Sequence, residues 1–224
     1  MINSHIHLDF AEIKNSSIDD KECIVPSIGC QNWKAVQRYK FHALGIHPWY
    51  VNQHSDYDLE LLKVQIQKKR LIAIGECGLD FTKKHVSNKF KQIYFFRRQL
   101  NLAKENNLPV IIHSVKANYE VIDNLNTRDN YGVIHGFYGS LEEVNKLTSL
   151  GFFLGIGHAI LKQNYLKMES IIQICPMDKI LIETDDGNPG DLTKIASKIS
   201  SIKGLSYDET VLNCDNNAKK LFGI

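Results

Sequence analysis

The sequence predicts an α/β protein, a (β/α)₈ TIM barrel, and two observations predict it. Short apolar runs of strand length alternate with amphipathic helical segments along all 224 residues, the pattern of a parallel sheet whose two faces are both covered. The side chains with metal-binding chemistry also fall directly after those runs. In a barrel of this kind the C-terminal strand ends converge on one mouth, where active sites are built.

Eight strands are expected. The first run ends at His5, and the others occupy residues 22–28, 41–46, 71–75, 109–112, 132–134, 152–156 and 180–182. Residues 11–20 are polar and poorly periodic, and read as a loop. The first clear helix, 56–69, sets Leu59, Leu62 and Ile66 on one stripe, as three- and four-residue spacing requires. A long helix at 87–106 carries Phe95, Gln99, Leu102 and Asn106 along one side. Further helices are expected at 116–125, 141–150, 165–175 and 191–202. The last, 206–221, opens on Ser206 with Glu209 three residues later, the capping-box pattern. Gly151 and Gly204 fit positions just past helix ends. Without repeats, low-complexity linkers or a Pro-rich boundary, residues 1–224 read as a single domain. An open doubly wound sheet is the structural rival, but no G-x-G-x-x-G follows an early strand.

The composition is that of a globular protein, 43% hydrophobic and 23% charged, and the net charge of +2 gives no strong general attraction to a polyanion. Five scattered cysteines, with no Cys-x-x-Cys among them, argue against a disulfide framework and for a reducing compartment. With no leader pattern and no run of membrane-spanning length, the chain is expected in the cytoplasm, as a monomer, without membrane contact.

His5 and His7 alternate with Ile6 in a strand, so both imidazoles share a face, roughly 6.6 to 6.8 Å apart along it. His47 ends the third run, Glu76 the fourth, His113 the fifth and His135 the sixth, and Asp185 follows the eighth. A lone histidine at a strand end is ordinarily a hydrogen-bonded turn residue. Six such groups at six strand ends are not explained that way. Histidines and carboxylates without cysteine suit zinc, manganese, magnesium or iron. Four histidines and two carboxylates exceed what one catalytic ion with an open position uses, and suit two ions sharing a bridging carboxylate.

In order, the motifs are H-x-H-L-D from His5, G-I-H-P ending at Pro48, I-G-E-x-G-L-D from Ile74, L-P-V-I-I-H from Leu108, V-I-H-G-F from Val133, L-I-E-T-D from Leu181 and N-x-x-x-L-F from Asn217. With these motifs the chain resembles the TatD family of metal-dependent deoxyribonucleases, within the amidohydrolase-like barrels, over nearly its whole length. The resemblance implies that His5, His7 and Asp185 hold one divalent ion (Mg, Mn or Zn) and that His113 and His135 hold a second. Glu76 bridges the two. His47 faces the substrate phosphate, and Glu183 supports Asp185, although the shared strand face of Glu183 and Asp185 would let the two exchange. The implied activity is hydrolysis of DNA phosphodiester bonds from a 3′ end, with Asp185 and Glu76 as the catalytic carboxylates. The rival readings are a hydrolase of a small phosphoester, amide or lactone, and a non-catalytic metal-binding barrel.

The sequence departs from the family in three places. Asn3 stands where an Asp is usual. The segment Ser114-Val115-Lys116 lacks the usual Arg, leaving Lys116 as a point-charge substitute for a bidentate phosphate clamp. The loop after Asp185 is short. Asp80 reads as a loop-bracing or capping residue. Trp49 and Tyr138 lie in loops near the mouth, where either could stack a base or pack on the rim. Lys83-Lys84 and Arg97-Arg98 read as solvated pairs, although Lys83-Lys84 follows the Glu76 strand and could meet a backbone phosphate; His42, His54 and His85 receive no role.

Overall fold

Each apolar run that pairs on both sides becomes a strand, and each amphipathic stripe becomes a helix that covers it. In the computed structural model, which describes residues 1–8, 22–68, 71–126, 129–162 and 166–224, the strands are β1 (Ile24–Pro26), β2 (Phe41–Leu44), β3 (Ala73–Asp80), β4 (Val110–Val115), β5 (Gly132–Ile134), β6 (Phe153–Ile156) and β7 (Ile180–Ile182). They form one sheet in sequence order, and every neighbouring pair is parallel. The helices are α1 (Cys30–Val36), α2 (Asp56–Gln67), α3 (Lys89–Glu105), α4 (Asn118–Asn126), α5 (Leu141–Ser149), α6 (Leu166–Ile174), α7 (Leu192–Lys203) and α8 (Tyr207–Phe222).

The eighth expected strand is not a regular element. The first segment instead bridges both edges of the sheet: Asn3 pairs with Cys23 beside β1, and Ile6 pairs with Asp185 beyond β7. Ile6 N donates to Ile24 O, Ser4 N to Ile182 O and His7 N to Asp185 O. Every strand edge is thereby bonded and the sheet closes on itself, which removes the exposed edges of an open sheet.

One residue from each strand (Ile24, Ala43, Ala73, Ile111, Val133, Phe153 and Leu181) joins Ala218, Leu221 and Phe222 of α8 in a separate buried cluster. This is the filling of the ring, plugged at the N-terminal ends of the strands by the end of α8. The alternate strand residues, among them Val25, Leu44, Ile74, Ile112, Ile134 and Leu154, pack in a larger cluster with helix residues such as Leu62, Phe96, Val121 and Ile171. The two clusters are the two faces of the pleat.

Several boundaries move. The run expected at 71–75 extends to Asp80, so Glu76 lies inside β3 and not after it, and His113 lies inside β4. Helix α1 was not expected: only Trp33 and Val36 of its seven residues are buried, too few to make a stripe. The capping box at Ser206 and Glu209 forms, and Gly204 ends α7 in the left-handed conformation. The expected loop at 11–20 lies outside the described residues.

Helix α3 fixes two of the mouth-bearing segments through buried glutamines. Gln99 Oε1 accepts from Ile46 N (2.8 Å), and its Nε2 donates to Ile46 O (3.1 Å). Two turns earlier, Gln92 Oε1 accepts from Asp80 N (2.8 Å), and its Nε2 donates to Asp80 O (3.0 Å). Each amide satisfies a donor and an acceptor that strand pairing leaves over.

Candidate metal centre

The mouth of the ring gathers the predicted residues around one carboxylate. Glu76 is buried, and its two oxygens face in different directions. Oε1 lies 2.7 Å from His135 Nε2, 3.0 Å from His113 Nδ1 and 3.2 Å from His47 Nε2. Oε2 lies 3.2 Å from His7 Nε2 and 3.5 Å from His5 Nε2. Asp185 Oδ1 stands 3.5 Å from both His5 Nε2 and His7 Nε2. The ligand-type atoms thus fall into overlapping groups: His5, His7 and Asp185; His5, Glu76 and His135; His47, Glu76 and His113.

Local backbone geometry explains how the side chains converge. Asp185 takes a left-handed φ of 53°, uncommon for a residue with a Cβ. It is held there on both sides of its peptide: its N–H donates to His5 O at 2.9 Å, and its carbonyl accepts from His7 N at 3.1 Å. The strand that carries the two histidines therefore also seats their carboxylate. Asn3, in place of the expected Asp, ties the same corner: Nδ2 donates to Thr184 Oγ1 (2.7 Å), and Oδ1 accepts from Thr184 N (3.2 Å). At Gly78, a Cβ would overlap the His113 carbonyl, so only glycine lets β3 lie this close to β4.

The histidines are not equivalent. His113 turns Nδ1 toward Glu76 and Nε2 toward Asp80 Oδ2 (3.5 Å). His135 turns Nε2 inward and Nδ1 toward Glu183 Oε1 (3.7 Å). Glu183 is buried, accepts the Gly136 N–H at 2.5 Å, and fits only because Gly155 has no side chain to occupy its space. It sits behind His135, whereas Asp185 faces His5 and His7. The two carboxylates that the sequence leaves exchangeable therefore stand on different histidines. The Nδ1 of His47 accepts the Trp49 N–H at 3.1 Å. In the neutral ring this places the proton on Nε2, the atom that faces Glu76.

The electrostatics follow from burial and from Glu76. Burial holds His47 down to about 4, and burial with the neighbouring His135 does the same to His5. Burial also pulls on His135, but the Glu76 charge outweighs it and raises that imidazole well above the usual histidine value. His7 and His113 are raised in the same way, by Glu76 and by Asp80 with Glu76 respectively. Glu76 itself, despite complete burial, is held well below the usual carboxylate range by His135 and His47.

This donor set fits a divalent cation. Two imidazole Nε2 atoms stand 3.4 Å apart at His5 and His7, and Glu76 Oε2 is buried without an aligned hydrogen bond. Such a buried anion, faced by lone-pair donors, is what a cation satisfies. The centre opens into a pocket of about 80 Å³ lined by His47, Trp49, Tyr50, Asp185 and Asp186 among others.

Three expectations change in detail. Lys116 is exposed just after β4 at φ 54° and does not line this pocket. Asp80 does brace its loop, through Thr82 N (2.8 Å), but its second oxygen also meets Trp49 Nε1 (2.6 Å) and His113. Tyr138 does not line the pocket, and Lys167 Nζ lies 4.1 Å over its ring. His54 joins Cys30 around Asp58, whose carboxylate caps α2 through Ser55 N. His158 pairs with Asp191 at 3.1 Å.

Known proteins share this architecture over its full length. A protein of Escherichia coli K12, the uncharacterized metal-dependent hydrolase YjjV, is 27% identical, with 100% of this chain and 98% of YjjV aligned. Its crystal structure, described as a TatD homologue, superposes with a TM-score of 0.92. The metal-dependent hydrolase YabD of Bacillus subtilis is 31% identical over 84% of this chain and 80% of its own. The 3′-5′ ssDNA/RNA exonuclease TatD of Pantoea ananatis is 29% identical over 85% and 81%. The family profile described as TatD related DNase matches residues 2–223. By that match, and with this cluster at the mouth of its barrel, the chain belongs to the TatD family of metal-dependent hydrolases.

Proposed function

We propose that the protein is a deoxyribonuclease that removes nucleotides from the 3′ end of DNA with two divalent cations, magnesium, manganese or zinc. The observation that carries this reading is the Glu76 carboxylate, whose oxygens reach different histidine pairs. His5, His7 and Asp185 would hold one cation, His113 and His135 the other, with Glu76 between them. The name of the Pantoea relative supports the nucleic-acid substrate and the polarity.

Bound cations supply Lewis acidity toward phosphoryl oxygens and acidify water at neutral pH. The chain supplies the rest. The Asp185 side chain is 42% exposed while those of His5 and Glu76 are covered, so Asp185 is the donor placed to take a proton from the attacking water. The neutral His47, with its proton on Nε2, donates to a non-bridging phosphate oxygen at a position where a charged ring would be disfavoured by burial. Lys116 contributes at the rim, along the path of the DNA backbone outside the pocket. The water oxygen bonds to phosphorus as the scissile P–O3′ bond breaks, and the 3′ oxygen leaves with the proton that Asp185 accepted. The chain acts as a monomer in the cytoplasm, a placement supported by five cysteines with no disulfide among them. Among the described residues no helix is long and apolar enough to cross a membrane.

Digestion of end-labelled single- and double-stranded DNA by chelator-stripped protein, with magnesium, manganese or zinc added back, tests the reading. Stepwise shortening from the 3′ end that Glu76→Ala abolishes is the expected result. Full activity of metal-stripped Glu76→Ala would sink it. Turnover of simple phosphodiesters or lactones with no action on DNA would favour the small-substrate hydrolase.

A further inference from the structure

Trp49 occupies an unusual place at the rim of the metal centre. It lines the pocket, yet 45% of its surface remains exposed. Large apolar side chains left open beside a polar cluster ordinarily pack down, and three contacts keep this one up. Its Nε1 donates to the buried Asp80 at 2.6 Å. Its ring stacks on His85, with centroids 5.1 Å apart and planes 12° from parallel. The rings of His47 and His113 stand nearly perpendicular to it, with centroids 4.9 and 5.8 Å away. The side chain is thus fixed at both its polar and its aromatic ends before any substrate arrives, the condition under which an aromatic face binds at small entropic cost.

The surroundings suit a nucleotide. The loop that supplies His85 also carries Lys83 and Lys84, both exposed. The pocket floor beneath Trp49 is the centre where the scissile phosphate would lie. Tyr138, the other aromatic expected to stack a base, has Lys167 over its ring and no part in the pocket.

We infer that Trp49, backed by His85 and anchored by Asp80, is the stacking platform for the nucleobase next to the scissile phosphate, with Lys83 and Lys84 along the phosphate backbone. This rests on the nuclease reading and adds to it a preference: a 3′-terminal nucleotide carrying a base over the same nucleotide without one. Stacking tolerates any base because every base has a π-face, so the preference should be for a base and not for a sequence.

Two substitutions separate stacking from the Asp80 contact, since Trp49→Phe and Trp49→Leu both remove the Nε1 donor and only Trp49→Leu removes the aromatic face. Metal-loaded proteins are assayed on single-stranded oligonucleotides ending in a normal or an abasic residue. The wild type should show a KM roughly tenfold lower for the normal end, the scale of one stacked base. Trp49→Phe should keep that ratio, and Trp49→Leu should reduce it to about one, with kcat equal in the two variants. In metal-free protein, thymidine 5′-monophosphate should quench tryptophan fluorescence where deoxyribose 5-phosphate does not, since the other tryptophan, Trp33, is buried. Equal cleavage of both ends by the wild type, or an unchanged ratio in Trp49→Leu, overturns the platform and leaves the nuclease reading standing. A wild type that cleaves no oligonucleotide removes the nuclease reading and the platform with it.

Discussion

Glu183 Oε1 stands 3.7 Å behind His135 Nδ1, on the side of the ring away from Glu76, whose Oε1 is 2.7 Å from Nε2. A carboxylate in that position fixes which nitrogen of a ligating imidazole points inward, and raises its basicity. Glu183→Gln keeps the volume and can still accept the Gly136 N–H. It should fold normally and bind divalent cations about 10–100-fold more weakly. Isothermal titration with manganese or zinc reads the change. Wild-type affinity in Glu183→Gln would show that Glu183 only fills the space beside Gly155.

His47 reaches the same Glu76 oxygen as His113 and His135, but the Trp49 N–H on its Nδ1 leaves Nε2 protonated. A protonated ring nitrogen has no lone pair for a cation. His47→Gln should accordingly retain the wild-type number of bound ions by elemental analysis while its KM for a phosphodiester rises about tenfold. Loss of an ion equivalent would make His47 a ligand.

Cation binding should expel protons. In the metal-free protein, His135, His7 and His113 are raised above the usual histidine value by Glu76 and Asp80, so near neutral pH they retain protons that compete with the cation. Apparent affinity should therefore increase with pH through the histidine range and fall as the medium is acidified. Titrations at pH 7 in two buffers of different ionisation enthalpy should give different heats. Identical heats would mean that the imidazoles are already neutral.

The Gln99 amide accepts the N–H of Ile46 and donates to its carbonyl. Gln99→Leu leaves both without it in a fully buried place. The expected cost is about 2–4 kcal/mol from two stranded polar groups, seen as a lower urea midpoint with an unchanged slope. A loss under about 0.5 kcal/mol would mean that the helix latch is redundant.

The barrel and its donors are legible because both rest on local patterns. Apolar runs of strand length mark the staves, and His5, His7, Glu76, His113, His135 and Asp185 stand at or beside their ends. What escapes the sequence is whatever depends on which neighbour a side chain meets. Gln92 and Gln99 read as ordinary helix residues until β3 and the Ile46 segment lie against them. Nothing in the spacing tells that Asp80 joins a rim tryptophan to a ligand histidine, or which nitrogen of His47 holds the proton. Even the first stave differs in kind from the expectation: it forms by bridging two edges, at Cys23 and Asp185, that are 162 residues apart in the chain.

That bridging has a consequence for how the protein comes into being. His7 leaves the ribosome 178 residues before Asp185, which is added only after β7. Until then the opening segment has one neighbour in place of two, and its histidines lack their carboxylate. Assembly of this half of the centre therefore waits until β7 and the turn after it have been made. A nascent chain short of Asp185 carries an incomplete cluster, whatever part of the barrel has already formed.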